Sequence, residues 1–537
     1  MLGLLATASC APKQISIEVK IITTSCEAKT NPFEGVNFLR VRITGDGIDV
    51  PIDSVAPTGG SSRTIAIPEI PAGKNRVIDV RGFDSDPTKG GKVLSVGKTL
   101  PFEVADVIPD PTDNQPIQVT VFLRRINTFT RPASATAQGD CQSMKVARAG
   151  HSATVLQNGK VFIAGGYNLM QGSTARVALS DTEIFNPATN AFESSARTAI
   201  GIGGNIWIPL AFHTATLLKS GHVLLWGGET YSGGVNNFPN PRATIFVYNP
   251  DENTYGSAKN RVDPPPITRS HHQAALDANG KVLIVGGESL ISSAPAPLVP
   301  TDKVEWFDPA TNLYLIAEGV SLPRKGPAVS PVRGGEFIAV VGGTDGVQMA
   351  KEILFFKWDL ATSTFKLEVV ASPPRLADPG RRGAAIATLR EGVDLLVLGG
   401  YSDPKLNLPI ASSEILATSS SMVSEGPSVG SSGPGGRGDI CAVQLPDGKV
   451  LAMGGFTVDG PGPEGRSDGS TVIISSNVSG GATGIGGPPL STPRYQHTCT
   501  ALRDGTILVL GGVNEQSSGM REILNDAWIY QPAPTTP

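Results

Sequence analysis

The apolar residues of this chain gather into short runs, and seven of those runs end on a diglycine. Val161–Ala164, Val223–Trp226 and Val282–Val285 precede Gly165-Gly166, Gly227-Gly228 and Gly286-Gly287. The runs at 338–341, 395–398, 450–453 and 507–510 precede Gly342-Gly343, Gly399-Gly400, Gly454-Gly455 and Gly511-Gly512. A four-residue apolar run between turn residues, too short for a helix, predicts a strand buried on both faces. Five of the runs follow Asn158-Gly159, Ser220-Gly221, Asn279-Gly280, Asp447-Gly448 or Asp504-Gly505, pairs that supply the positive φ angles of a two-residue hairpin. Another strand is predicted before that turn, as at 152–156. A third follows the diglycine, as at 182–187 and 303–309. A fourth begins at the next aromatic (Phe192, Tyr255, Tyr314, Phe365).

Four antiparallel strands repeated seven times describe the blades of a β-propeller. The frame between repeats is tight. Seventeen residues before the diglycines stand Arg148, Leu210, Arg269, Lys325, Arg382, Arg437 and Arg494, and fourteen before stand His151, His213, His272, Ala328, Ala385, Ile440 and His497. Arg-x-x-His, an apolar hairpin, Gly-Gly and then Glu-x-Phe-Asn/Asp-Pro together resemble the kelch repeat, over roughly residues 140–537. That resemblance implies a closed seven-bladed kelch-type propeller. The sixth unit departs from it, lacking the Asp-Pro turn after its third strand. The last unit stops at its third strand, Trp528-Ile-Tyr-Gln-Pro, so a segment near 134–144 is expected to supply the closing outer strand and remove the open edge.

Residues 14–126 follow a different rhythm. Ile15, Ile17, Val19 and Ile21 alternate with polar residues, as do Leu39, Val41 and Ile43 with Arg40 and Arg42, and Ile117, Val119, Val121 and Leu123 show the same spacing. Period-two patterning in six or more strands predicts a small β-sandwich of immunoglobulin-like type, with a proline-bearing loop at 106–116. The expected division is a leader and tether at 1–13, the sandwich at 14–126 and the propeller at 127–537.

Composition narrows the reading. Sixty-three glycines and 43 prolines among 537 residues demand frequent turns and exclude a helical fold. A net charge of −4 with no basic run argues against nucleic-acid binding, and no window reaches the ~20 apolar residues of a membrane span. The start, Met-Leu-Gly-Leu-Leu-Ala-Thr-Ala-Ser-Cys10, resembles a bacterial lipoprotein signal. Lipidation at Cys10 would give the only membrane contact and place the chain outside the cytoplasm, in the cell envelope, at the outer membrane or in the periplasm. In that oxidising setting Cys26, Cys141, Cys441 and Cys499 are candidates for disulfides. Cys441 and Cys499 fall at nearly the same place in adjacent repeats, and Cys26 with Cys141 would join the two domains.

Candidate chemistry is sparse. The repeat histidines read as consensus residues bonded to local backbone, since equivalent positions around a ring lie too far apart for one metal ion. The kelch relative with known chemistry, the galactose-oxidase type of copper-radical enzyme, implies a tyrosine directly before a histidine. Here Gln496 separates Tyr495 from His497. Arg437-Gly438-Asp439 spells an integrin-binding tripeptide, but Arg437 is the basic residue of its repeat. The expectation is therefore a non-enzymatic recognition or scaffold protein with no cofactor and no metal. It would bind an unknown protein or glycan through propeller loops, with Trp207, Tyr231 and Phe238 as candidate contacts. A carbohydrate-active enzyme on the same scaffold is the alternative.

Overall fold

The computed structural model describes residues 14–535, apart from 16, 23–30, 59–69, 106–116, 135–139, 197–198, 201–205, 232–236, 258–266, 292–296, 371, 390–393, 406, 431–434, 459–464 and 478–480. Its regular structure is strand throughout, except for two single turns of 3₁₀ helix at Pro87–Lys89 and Arg333–Gly335. Between residues 128 and 531 the described residues form seven four-stranded antiparallel sheets. In repeat one, Ser152–Val155, Val161–Ala164, Thr182–Asn186 and Ala191–Ser194 lie side by side in chain order. Repeat six lacks the Asp-Pro turn yet pairs Val450–Met453 with Thr471–Ser476 and that strand with Ala482–Gly486. The first strands pack in succession from one repeat to the next, and Ser152–Val155 of repeat one packs on Thr498–Ala501 of repeat seven. The apolar second strands are buried throughout, with sheet packed on sheet.

The diglycines hold this ring together. Each second glycine donates its N–H to a carbonyl of the next repeat, from Gly166 to Leu210 through to Gly512 to Arg148, at 2.8–3.0 Å. A Cβ on each first glycine would stand 2.1–2.6 Å from that same carbonyl oxygen, so no other residue permits the approach. These contacts correct the frame in repeats four and five. The residues that accept the bond there are Arg324 and Arg381, not Lys325 and Arg382. Five-residue first strands, Ala328–Val332 and Ala385–Leu389, replace the four-residue strands of the others and shift the count by one. Six arginines then share one role, each guanidinium donating to the carbonyl of its own first glycine, as Arg269 does to Gly286 at 2.9 Å and Arg494 to Gly511 at 3.0 Å. Carboxylates on the third strand or just before it balance most of these buried charges: Glu183 on Arg148 at 2.7 Å, Glu305 on Arg269 at 2.6 Å, Asp526 on Arg494 at 2.7 Å.

The closing strand is Thr128–Thr130, not the segment near 134–144. It pairs Thr128 with Gln531, Phe129 with Tyr530 and Thr130 with Ile529. Phe129 is buried, its ring 5.1 Å from that of Tyr530, beside Trp528. The sequence 134–140, Ser-Ala-Thr-Ala-Gln-Gly-Asp, has no side chain that could fill that place. Around it the described residues make isolated bridges only, Ala133 with Cys141 and Ser143 with Asp526.

In the N-terminal region Phe38–Thr44, Ile52–Pro57, Gly73–Phe83, Val93–Lys98, Phe102–Val104 and Arg124–Arg125 form one sheet, and Ile17–Ile22 pairs in parallel with Ile117–Phe122. Leu39, Val41 and Ile43 point into a core shared with Ile78, Val80 and Val121, against which Val19, Ile21 and Val119 pack. Arg40 and Arg42 point the other way and share Asp53 at 3.0 and 2.9 Å. The loop at 106–116 and the leader with Cys10 lie outside the described residues.

Candidate binding site at the channel mouth

Two residues after the repeat arginine, or after Leu210 in repeat two, the chain takes a left-handed turn. Gly150, Phe212, His271, Gly326, Gly383, Asp439 and Gln496 all have φ between 49° and 59°. Their backbones bond around the ring: Gly150 donates to Gln496, Phe212 to Gly150, His271 to Phe212 and Gly383 to Gly326, at 2.8–3.1 Å. The seven surround a cavity of about 480 Å³, which continues along the first strands past Thr214, Thr216 and Gln273. This end carries further hairpins, among them Tyr167–Leu169 with Arg176–Ala178 and Glu229–Tyr231 with Pro239–Pro241, each starting directly after its diglycine.

Polar groups back the mouth. The Tyr401 hydroxyl donates to Asp439 at 3.0 Å, and burial raises the Asp439 carboxyl above the ordinary carboxylate range. The Tyr167 hydroxyl donates to Gln496 Oε1 at 2.7 Å. The Phe212 and His271 rings stack with centroids 4.0 Å apart. Behind them Glu229 is buried, its Oε1 taking a hydrogen bond from Tyr231 at 2.7 Å. Its Oε2 has no hydrogen-bond partner and lies 3.7 Å from His271 Nδ1.

The repeat histidines serve the ring itself. His151 Nε2 shares a hydrogen bond with Thr498 Oγ1 at 3.1 Å, His213 Nε2 with Ser152 Oγ at 2.8 Å and His272 Nε2 with Thr214 Oγ1 at 3.0 Å. Each of these bonds reaches the preceding repeat, where the sequence suggested local backbone; for His213 the backbone of Leu210 takes part as well. For His497 the matching place in repeat six is Cys441, whose sulfur is committed to Cys499, and neither ring nitrogen has a partner.

Of the sequence-derived candidates, Tyr231 backs the mouth through Glu229, while Phe238 is 43% exposed. Trp207 lies in the strand Ile206–Trp207, and its side chain is outside the described residues. Arg437 is fully buried and bonded to Gly454 and Ser470, so the Arg-Gly-Asp tripeptide is not presented to a partner. The mouth residues Phe212, His271, Asp439 and Gln496 were not anticipated. Their one signal is a position between the arginine and histidine slots that reads Gly in three repeats and a larger side chain in four.

Cys441 and Cys499 form a disulfide across 58 residues, and Cys141 is also disulfide-bonded; Cys26 lies outside the described residues. Closing a loop of that length contributes about 4 kcal/mol on the chain-entropy account. A double Cys441→Ala, Cys499→Ala variant is expected to lose roughly that much in urea unfolding. An unchanged midpoint would show that the bridge adds nothing.

No protein-family profile matches the chain, and no curated protein sequence does. Among solved structures it resembles one titled "Structure of YjhT" (14% identity, 72% of this chain and 96% of that chain, TM-score 0.41). It also resembles a fungal alcohol oxidase of the AA5 family in complex with copper (14% identity, 72% of this chain and 75% of that chain, TM-score 0.52). The likeness is one of fold alone, and with the seven four-stranded sheets in cyclic contact it makes the fold of this chain a β-propeller. The expectation of a non-enzymatic protein is corrected: a copper alcohol oxidase stands among the proteins that share this fold, so the fold is no argument against catalysis. The described residues do not assemble a copper centre. Among the described residues no group of three or more His, Cys, Asp or Glu side chains could hold a metal ion, and three of the four repeat histidines have Nε2 on a neighbouring hydroxyl.

Proposed function

We propose that this chain is an exported protein, tethered through Cys10, in which a β-sandwich over 14–126 precedes a seven-bladed kelch-type propeller that takes a small ligand at the channel mouth. Seven four-stranded sheets in cyclic contact support the blade count, and two layers packed over Val41, Val80 and Val121 support the sandwich. One observation carries the functional reading: the cavity of about 480 Å³ opens at the end where the left-handed ring and the additional hairpins lie. That volume falls in the range of small-molecule sites, and an apolar wall with a few convergent polar groups is their usual make-up. The reading covers both a binder and an enzyme that works on what it binds.

Hydrogen–deuterium exchange in the presence of a mixed panel of saccharides and short peptides tests it. Slowed exchange is expected in 212–216, 271–274 and 439–441. Protection confined to the outer strands would overturn the assignment of the site.

A further inference from the structure

The seven left-handed positions are not equivalent. Glycine takes this conformation freely, whereas a residue with a Cβ takes it at a cost. Repeats one, four and five use glycine. Repeats two and three carry Phe212 and His271, and repeats six and seven carry Asp439 and Gln496. In a ring of seven, the pair from two and three stands across the opening from the pair from six and seven. Costly side chains at positions where glycine would suffice mark a functional site.

The two walls differ in chemistry. One is the stacked pair Phe212 and His271, 4.0 Å between centroids. Phe212 leans over Gly150, where a Cβ would stand 2.7 Å from its ring. The other wall is polar and partly committed from behind. Tyr401 occupies Asp439 Oδ2 and Tyr167 occupies Gln496 Oε1, which leaves Asp439 Oδ1 and the Gln496 amide nitrogen for a ligand. Among the described residues no lysine or arginine lines the cavity, so they offer no countercharge to a phosphate or carboxylate.

We propose, resting on the channel-mouth reading, that the ligand is a neutral hydroxylated ring, a pyranose sugar or its close equivalent. One face of the ring stacks on Phe212 and His271, and its hydroxyls are shared between Asp439 and Gln496. An aromatic face binds the C–H side of such a ring while the opposite polar groups read its hydroxyls. Glu229 is a positioning residue: His271 Nδ1 shares a hydrogen bond with Ser270 Oγ at 3.3 Å, and the buried Glu229 Oε2, 3.7 Å away without a hydrogen-bond partner of its own, places negative charge on that side of the ring, which favours the Nδ1–H tautomer and leaves Nε2 as an acceptor toward the ligand.

The test uses the full chain and three probes: methyl glycosides of glucose, galactose and mannose; trialanine; and inorganic phosphate. Diethyl pyrocarbonate modification of His271, read by peptide mass spectrometry, reports occupancy of the mouth. A methyl glycoside is expected to protect His271, and Phe212→Ala and Asp439→Asn are each expected to weaken protection about tenfold at unchanged urea midpoints. Glu229→Gln is expected to shift the His271 ring ¹⁵N resonances toward the Nε2–H tautomer. Protection by trialanine or phosphate and not by any glycoside would overturn the sugar assignment while the channel-mouth reading stands. Glycoside protection unaffected by either wall variant would overturn the residue assignment. Exchange protection away from the mouth would overturn the underlying reading.

Discussion

A chain in which Thr128–Thr130 is replaced by Gly-Ser-Gly is expected to lose cooperative unfolding and to aggregate. Those three residues are the outer strand of the seventh sheet and pair with Ile529–Gln531. Without them the edge of Ala527–Gln531 is exposed, and an unpaired edge is a template for association. The loss also strips the cover from Tyr530 and Trp528, which share a core with Phe129. Burying a phenylalanine that is then truncated typically costs 3–5 kcal/mol, a large part of the ~5–15 kcal/mol that holds a domain folded. Phe129→Ala alone isolates that packing term and is expected to lower the urea midpoint while unfolding stays cooperative. Light scattering and tryptophan fluorescence follow both variants. A Gly-Ser-Gly chain that stayed monomeric with the parent's midpoint would show that the ring closes without this strand.

How much of this was legible in the sequence depends on how far apart the interacting residues lie. The diglycines announced strand ends because turn residues beside apolar runs are a local pattern. Their deeper cause, the next repeat's carbonyl oxygen 2.1–2.6 Å from where a Cβ would be, is a contact between repeats and leaves no local mark. Counting back from the glycines misplaced the basic residue in repeats four and five because a longer hairpin lies between. Leu210 looked like an irregularity in a row of arginines. Across the sheet Ile163 pairs with Glu183 but Leu225 pairs with Phe246, so repeat two has replaced acid and base together by an apolar pair in one core. Such an exchange is often neutral or stabilising because it removes two desolvated charges at once. The mouth was the hardest part to read. Its residues are single positions scattered over some 350 residues, variable in a frame where regular positions drew the eye. The loop candidates Tyr231 and Phe238 were chosen for loop length, which says nothing about which end of a channel a side chain reaches.

Acid is expected to unfold the protein through its repeat histidines. In the unfolded chain each imidazole takes up a proton near pH 6.5. In the fold burial holds His213 neutral to about 4 and His497 to about 3, and it pushes His151 and His272 well below their ordinary value. Between those values and 6.5 the unfolded state binds more protons, so stability is fully present above about pH 6.5 and falls as the pH drops below it. Each histidine contributes a slope of about 1.4 kcal/mol per pH unit. Two carboxyls oppose this. Burial raises Asp439 and Glu305, so there the folded state binds the extra proton as pH falls. The four imidazoles together set a loss of at most roughly 5 kcal/mol per pH unit between about pH 6 and pH 5, and the raised carboxyls work against it. Urea midpoints across that window measure it. His213→Gln removes one titrating group while keeping a side chain that can bond Ser152, and should flatten the slope by about 1.4 kcal/mol per unit. A midpoint that held steady or rose on acidification, or a variant with the parent's slope, would mean that the buried imidazoles do not govern acid stability.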